Sequence, residues 1–509
     1  MNGAESLVHT LLACGVDTCF TNPGTSEMHF VAALDRIPGM RCVLGLHENV
    51  VTGAADGYAR MRDRPAATLL HCGPGLANGL ANLHNARRAR SKVVNLVGDQ
   101  ATYHRPHDAP LTADTEGWAR PVSIWTRTAT RAQTVGADAA SCVQAASGGI
   151  ATLILPSDTC WDEGGAVAAK LPDVAVQPAS PDAVENTGRV LRSGEPTLLL
   201  LAGKALRAEP LAVAAGIVAK TGARMMAQTS NARVEHGAGR MPIDRVPYVV
   251  ERALEMLAGF KHLILVGAKP PVGFFAYPGR PSTITPPDCT VHVLARPEQD
   301  PVDALHRLAD ALSAKPAACG ASRSNAEPGR GPVTAEALVQ SLAALLPENA
   351  IVVDESVSLG RGFFPGTHGA APHDWLQLTG GAIGGGVPMA TGAAIGAPGR
   401  RVVALQADGS GMYTLQGLWT QAREGLDVTT VILANRKYAI LLGEYAGVGA
   451  NPGRTAMDMM DIGNPDLDWV RLAGGMGVEA ARAETMEAFN DLFAQANARP
   501  GPFVIELVI

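Results

Sequence analysis

Two acidic positions carry much of the chemistry this sequence can do. Asp408-Gly-Ser410 follows the apolar run Arg401-Val-Val-Ala-Leu405. A carboxylate at a strand end, followed by two small residues, can hold a hard divalent cation while its backbone N–H groups approach phosphate oxygens. Asp-Gly is also an ordinary turn dipeptide, so the pair gains meaning from Asn435, 27 residues on at the end of the next apolar run. A helix over 415–424 and a strand over 428–433 fill the interval, and one βαβ unit then brings Asp408 and Asn435 side by side on one sheet edge. His47-Glu48 is the second position: a strand end running into a small-residue helix, where a Glu also stabilises a helix N-terminus on its own. The third is Gly380-Gly-Ala-Ile-Gly-Gly-Gly-Val, a glycine-rich helix start. A dinucleotide fingerprint fails there, because after Gly384 and Gly386 the third glycine position holds Met389.

Parallel sheets must position these residues. Short strand-type runs such as Ala67-Thr-Leu-Leu70, Val93-Val-Asn-Leu-Val97, Thr197-Leu-Leu-Leu-Leu201, His262-Leu-Ile-Leu-Val266 and Phe503-Val-Ile-Glu-Leu507 alternate with longer Ala/Leu-rich helical patterns. That alternation predicts an α/β fold with doubly wound parallel sheets. Ligands in such sheets sit at the carboxyl ends of strands. The residues there include Asn22-Pro-Gly-Thr25, His71-Cys-Gly-Pro-Gly75, Asp99-Gln100 with His104 and His107 beyond, and Asp354-Glu-Ser-Val-Ser358. Ser358 reads equally well as a cap for the next helix. Two stretches without apolar periodicity, 161–185 and 313–332, read as linkers and divide the chain into 1–165, 185–315 and 330–509. Three units suit 509 residues at roughly 150 residues per domain.

On these motifs the chain resembles the thiamin-diphosphate-dependent enzymes, closest in type to acetolactate-synthase-like and benzoylformate-decarboxylase-like members. The resemblance covers nearly the whole chain and implies a pyrimidine-binding, a middle and a diphosphate-binding domain. It implies thiamin diphosphate (ThDP) held through Mg²⁺ by Asp408, Asn435 and the carbonyl of Lys437, with Ser358, Gly409, Ser410, Tyr438 and Ala439 around the diphosphate. Glu48 is implied to hydrogen-bond N1′ of the aminopyrimidine, Gly381 to offer its carbonyl to N4′, and Ile383 to be the apolar wedge under the bent cofactor. Two positions depart from the family signature: Ala407 stands for its first Gly and Ala434 for its first Asn. Neither removes a metal ligand. His71 resembles the active-site His of benzoylformate-decarboxylase-like proteins, a proton donor or acceptor, although a strand-end His can also be satisfied by backbone. Thr25, Gln100 and His107 also follow first-domain strands and are candidates for the pocket. The lone Gly203 of Leu201-Ala-Gly-Lys-Ala-Leu206 speaks against FAD in the middle domain. Phe274, Phe275 and Tyr277-Pro-Gly279 are placed to close the pocket with apolar walls or simply to pack.

Composition limits the partners. A formal net charge of −6 and a pI near 6.1 argue against nucleic acid and anionic membrane. No run of about 18 apolar residues predicts a membrane span. Eight cysteines without a C-x-x-C pair fit reduced thiols and the cytoplasm. The resemblance implies a homodimer or homotetramer with active sites between subunits, acting on a small 2-oxo acid or aldehyde. The expected reaction is 2-oxo acid decarboxylation with possible carboligation. The alternatives are acetolactate synthesis from two pyruvates and a non-catalytic ThDP-binding homologue; Ala407 and Ala434 hint at the latter, and intact Glu48 speaks against it.

Overall fold

The computed structural model describes residues 1–318 and 320–509, so Cys319 lies outside the described residues. The chain forms three sheets. The first runs in the order β2 (Arg41–Leu44), β1 (Thr18–Asn22), β3 (Ala66–Leu70), β4 (Val93–Asp99), β6 (Ile150–Pro156), β5 (Trp125–Thr128). The second is β11 (Thr290–Ala295), β10 (His262–Val266), β7 (Thr197–Leu201), β8 (Arg224–Ala227). The third is β16 (Glu479–Ala483), β17 (Phe503–Val508), β15 (Val428–Ala434), β14 (Val402–Ala407), β12 (Ile351–Glu355), β13 (His373–Gln377), β9 (Val234–His236). Every pairing is parallel except β13 with β9. The expected α/β fold of three parallel-dominated sheets with flanking helices is what the chain adopts. The short edge strand β9 leaves the chain stretch that builds the second sheet and extends the third.

Strand order places the crevices. It reverses between β1 and β3 in the first sheet and between β12 and β14 in the third, and loops at such switch points splay apart to open a ligand cleft. The residues following β1 and β3 are Pro23–Glu27 and His71; those at the ends of β12 and β14 are Glu355 and Asp408.

The first and third sheets are joined by two helices, Glu48–Arg62 and Gly386–Gly396, in contact over most of their length. Both are buried nearly all round. The contact is close because glycine takes the crossing positions: a Cβ on Gly57 would run into the Met389 carbonyl, and one on Gly392 into the Ala54 carbonyl. Arg60 fastens the same junction. Its guanidinium pairs with Asp56 at 2.6 Å and donates to the carbonyls of Gln377 at 2.7 Å and Ala232 at 3.2 Å, joining all three segments of chain. Asp374 on β13 accepts from Arg233 at 2.5 Å and Arg400 at 2.6 Å.

Backbone cannot retreat as a side-chain tip can, so Gly392→Ala is expected to destabilise by at least the ~1–3 kcal/mol typical of overpacking. Gly474→Ala, in a helix with open space at the Cβ position, should be neutral or stabilising by up to about 1 kcal/mol. Thermal denaturation of the two variants checks the ordering.

Candidate active site

The third-sheet half begins at Asp408, buried at the end of β14. Its Oδ1 accepts from the Gly409 N–H at 2.8 Å and its Oδ2 from the Arg436 N–H at 2.6 Å. The second bond crosses from β14 to the turn after β15. Arg436 adopts φ 57°, and Asn435 Oδ1 accepts from the Lys437 N–H at 3.0 Å. The turn that carries Asn435 and Lys437 is therefore hydrogen-bonded to the Asp408 carboxylate. Burial pushes the Asp408 carboxyl above its ordinary range, opposed only by backbone N–H groups. Tyr438 lies over Gly409, where a Cβ would meet its ring at 2.6 Å. Ala439 opens the next helix, Ala439–Val448. Ser358 makes no capping hydrogen bond to the helix after it, so its hydroxyl is free for another acceptor.

Glu355, which the motif reading passed over, supports the glycine-rich loop. It ends β12 fully buried and accepts from the N–H groups of Gly384 at 2.6 Å and Gly386. These are orphan donors at a helix start. Burial raises the Glu355 carboxyl to about 7 despite the two backbone donors and Gln406. Gln406 in turn donates to Ser410 Oγ at 2.5 Å. Gly381 sits at φ 81° and the half-buried Ile383 two residues on, so one buried acid links the loop carrying both to the Asp408–Ser410 turn. An acid ending an apolar strand, with a glycine-rich helix start needing acceptors elsewhere, was the available signal.

The first-sheet half centres on His71. Its Nδ1 lies 2.8 Å from Oε2 of Glu27, which is buried and also accepts from the Gly24 N–H at 2.8 Å. The hydrogen bond to Glu27 raises the His71 pKa, against desolvation and with smaller help from the charges of Glu27 and Glu48. Glu48 is the first residue of its helix, but His47 supplies the cap, its Nδ1 accepting from the Asn49 N–H. Glu48 Oε2 accepts from Asn78 at 3.0 Å. Glu27, His71 and Cys72 are close enough together to hold a metal ion. The chemistry is against it: burial pushes the Cys72 thiol up to about 11, and Glu27 favours the protonated, non-ligating imidazole. Thr25 is exposed on the turn that carries Glu27. Gln100 follows the end of β4, where Gly98 packs against Glu27, and its Nε2 donates to the Pro110 carbonyl at 2.8 Å; His107 is exposed with its ring 6.0 Å from His104. Glu27 was visible in sequence only as an acid after Asn22-Pro-Gly.

Residues 1–117 match the family model described as thiamine pyrophosphate enzyme, N-terminal TPP binding domain, and residues 366–507 match its C-terminal TPP binding domain. The chain belongs to the thiamine pyrophosphate enzyme family. A Mycobacterium tuberculosis protein with the provisional name acetolactate synthase large subunit IlvX is 52% identical over 513 residues, covering 100% of this chain and 99% of its own. Benzoylformate decarboxylase of Pseudomonas aeruginosa is 29% identical over 97% of this chain and 96% of its own. Among solved structures, the Rhodococcus jostii RHA1 thiamine diphosphate-dependent 4-hydroxybenzoylformate decarboxylase superposes with a TM-score of 0.84 at 25% identity, covering 99% of this chain and 98% of that one. The residues present fit the cofactor of a thiamine pyrophosphate enzyme. Gly384 and Gly409 stand where a Cβ would collide with Tyr413 and Tyr438, so loop and turn close up as only glycine allows, and Asp408 with Asn435 offers only hard oxygen donors, as a diphosphate-bridging cation requires.

Two pH effects follow in this thiamine pyrophosphate enzyme. A raised carboxyl pKa in the folded state means that stability falls as pH rises from the ordinary 4.5 through about 7. The loss is of the order of 3 kcal/mol, and Glu355→Gln should lack that segment of the stability profile. For His71 the sign is the same and the cause different: the contribution of its pair with Glu27 is present in acid and lost as pH rises through the raised imidazole pKa. Glu27→Gln should bring the His71 titration, followed by NMR, down towards its ordinary 6.5.

Proposed function

We propose that the protein is a ThDP- and Mg²⁺-dependent enzyme that decarboxylates a 2-oxo acid and can pass the acyl unit to an aldehyde or ketone. The observation that carries this reading is the His71–Glu27 pair at the β1/β3 crevice. A decarboxylase must deliver a proton to the carbon that has lost CO₂, and here the hydrogen bond to a buried carboxylate shifts an imidazole towards its protonated, donating form. With Nδ1 committed to Glu27, Nε2 is the atom that releases and takes up the proton.

Asp408, Asn435 and the Lys437 carbonyl would hold Mg²⁺, with Ser358, Gly409, Ser410, Tyr438 and Ala439 around the diphosphate. Bound ThDP supplies a thiazolium carbon that adds to a carbonyl and accepts the electron pair released by C–C cleavage. Glu48, with Oε2 held by Asn78, shares a proton with the aminopyrimidine through its other oxygen. Gly381 and Ile383 orient the ring. Thr25, Gln100 and His107, at or beyond first-sheet strand ends, would line the approach to His71.

A second copy of the chain completes the site in this reading. The helix Ala439–Val448 has the apolar sequence AILLGEYAGV yet buries none of its residues within one chain, and Leu441, Val448, Met457 and Met459 near it are exposed. The described hydrogen bond of the Glu48 side chain stays within the first-sheet domain. A homodimer or homotetramer covers these surfaces. No helix among the described residues is long and apolar enough to cross a membrane, and the seven free cysteines described fit a reducing cytoplasm.

The name of the 52% identical relative favours a second reading, acetolactate synthesis from two pyruvates. Three variants separate the roles. Asp408→Ala should fold but not retain ThDP. Glu48→Gln should retain it and exchange the C2 proton orders of magnitude more slowly. His71→Ala should keep both properties and lose ~10²- to 10⁴-fold in 2-oxo acid decarboxylation. Unchanged turnover in His71→Ala would overturn the decarboxylase reading and put ligation first. Mixing the Asp408→Ala and Glu48→Gln proteins should restore turnover if the site is shared between copies.

A further inference from the structure

The middle segment of the chain reaches the glycine-rich loop at Phe274. After β10 the chain makes a loop closed by the Val272–Thr283 bridge and by the Gly273 N–H donating to the Ser282 carbonyl at 2.8 Å. It carries Phe274 and Phe275, 48% and 55% exposed, with ring centroids 5.0 Å apart. Phe274 also lies 5.2 Å from the ring of Tyr248. Its Cζ sits against Gly381, where a Cβ would collide with it. Two phenols converge on one carboxylate: Tyr277 Oη donates to Glu444 Oε2 at 2.7 Å and Tyr248 Oη to Glu444 Oε1 at 3.1 Å. Glu444 belongs to the helix Ala439–Val448, directly after the Asn435–Lys437 turn. Tyr277 packs on the same helix at Gly447, where a Cβ would meet its ring at 2.9 Å.

We propose that Glu444 is a specificity-determining positioning residue, which through Tyr277 and Tyr248 clamps the 272–283 loop to the cofactor-binding helix so that Phe274 and Phe275 form the wall against which the acyl substituent of the substrate packs. The inference rests on the proposed 2-oxo acid reaction. Two half-exposed phenylalanines held beside Gly381 present an apolar face, and the substituent that covers it is apolar and larger than methyl. A methyl group is too short to gain from that wall. Burial together with the adjacent Glu444 charge keeps Tyr248 protonated as a donor. Hydrogen bonds to a charged acceptor are the strong ones, which is why one carboxylate can hold a loop that buries little surface of its own.

The test uses the full-length enzyme loaded with ThDP and Mg²⁺, its Glu444→Gln and Tyr277→Phe variants, and the double variant. Hydrogen exchange over 272–283, ThDP affinity, and kcat/KM for pyruvate and for benzoylformate are measured on each. The inference expects faster exchange over 272–283 in both single variants, unchanged ThDP affinity, a ~10- to 100-fold loss of kcat/KM for benzoylformate, and little change for pyruvate. The double variant should lose no more than Glu444→Gln, since the two groups form one bond. Unchanged exchange, or an equal loss on both substrates, overturns the clamp while leaving the 2-oxo acid reaction standing. A parent enzyme that turns over no 2-oxo acid overturns the proposed function, and the specificity role falls with it.

Discussion

Gly57, Gly392 and Gly396 let the helices Glu48–Arg62 and Gly386–Gly396 approach until backbone meets backbone, with Gly53 against Pro388, and the relative placement of the two candidate half-sites within one chain depends on that contact. The chain runs in the same sense along both helices, with Gly53 against Pro388 and Gly396 against Tyr58, so their N-termini share one end of the junction. Glu48 starts one helix and the Gly381–Gly385 loop leads into the other. Asn82 bridges the two starts by donating to the Asn49 carbonyl at 2.8 Å and the Gly384 carbonyl at 3.2 Å. A larger residue at the crossing would part the sheets and move the two helix starts relative to each other. Rigid packing has little compliance, so a few tenths of an ångström there reach the site undiminished.

Around this junction the protein buries acids with different partners. Asp56 and Asp374 face arginines and act as fasteners between segments of chain. Glu27 faces an imidazole and raises its pKa. Glu355 and Asp408 face only backbone N–H groups and neutral amides, and burial raises both. The environment separates the roles: an acid matched by a guanidinium is structural, whereas one left with neutral donors remains able to respond to a proton or a cation.

The sequence alone placed the candidate residues at strand ends. Asp408, Asn435, Glu48 and His71 each follow a strand that was legible as an apolar run, and a strand and its following turn are local structure set by neighbouring residues. The same local logic yielded the α/β fold and the parallel sheets. It did not reveal β13, whose sequence HDWLQ is mostly polar although every residue is buried. Asp374 is tolerated there because two arginines from other elements pair with it, and His373 because its Nδ1 reaches the Ala371 carbonyl and burial keeps the ring neutral. Nor did it reveal that β9 leaves its neighbours in the chain to extend the third sheet.

The tertiary structure decided the electrostatic state of the site. His71 has its partner 44 residues away in sequence, Glu355 its amides 29 and 31 residues away, and Glu444 its phenols 196 and 167 residues away. Desolvation and hydrogen bonding act over a few ångströms in space and carry no periodic signature along the chain. Residue type and spacing therefore determined which groups stand at the strand ends. Only folding, which sets how far each group is withdrawn from water and what faces it, determined which of them are charged, which are held still, and which are left free to act.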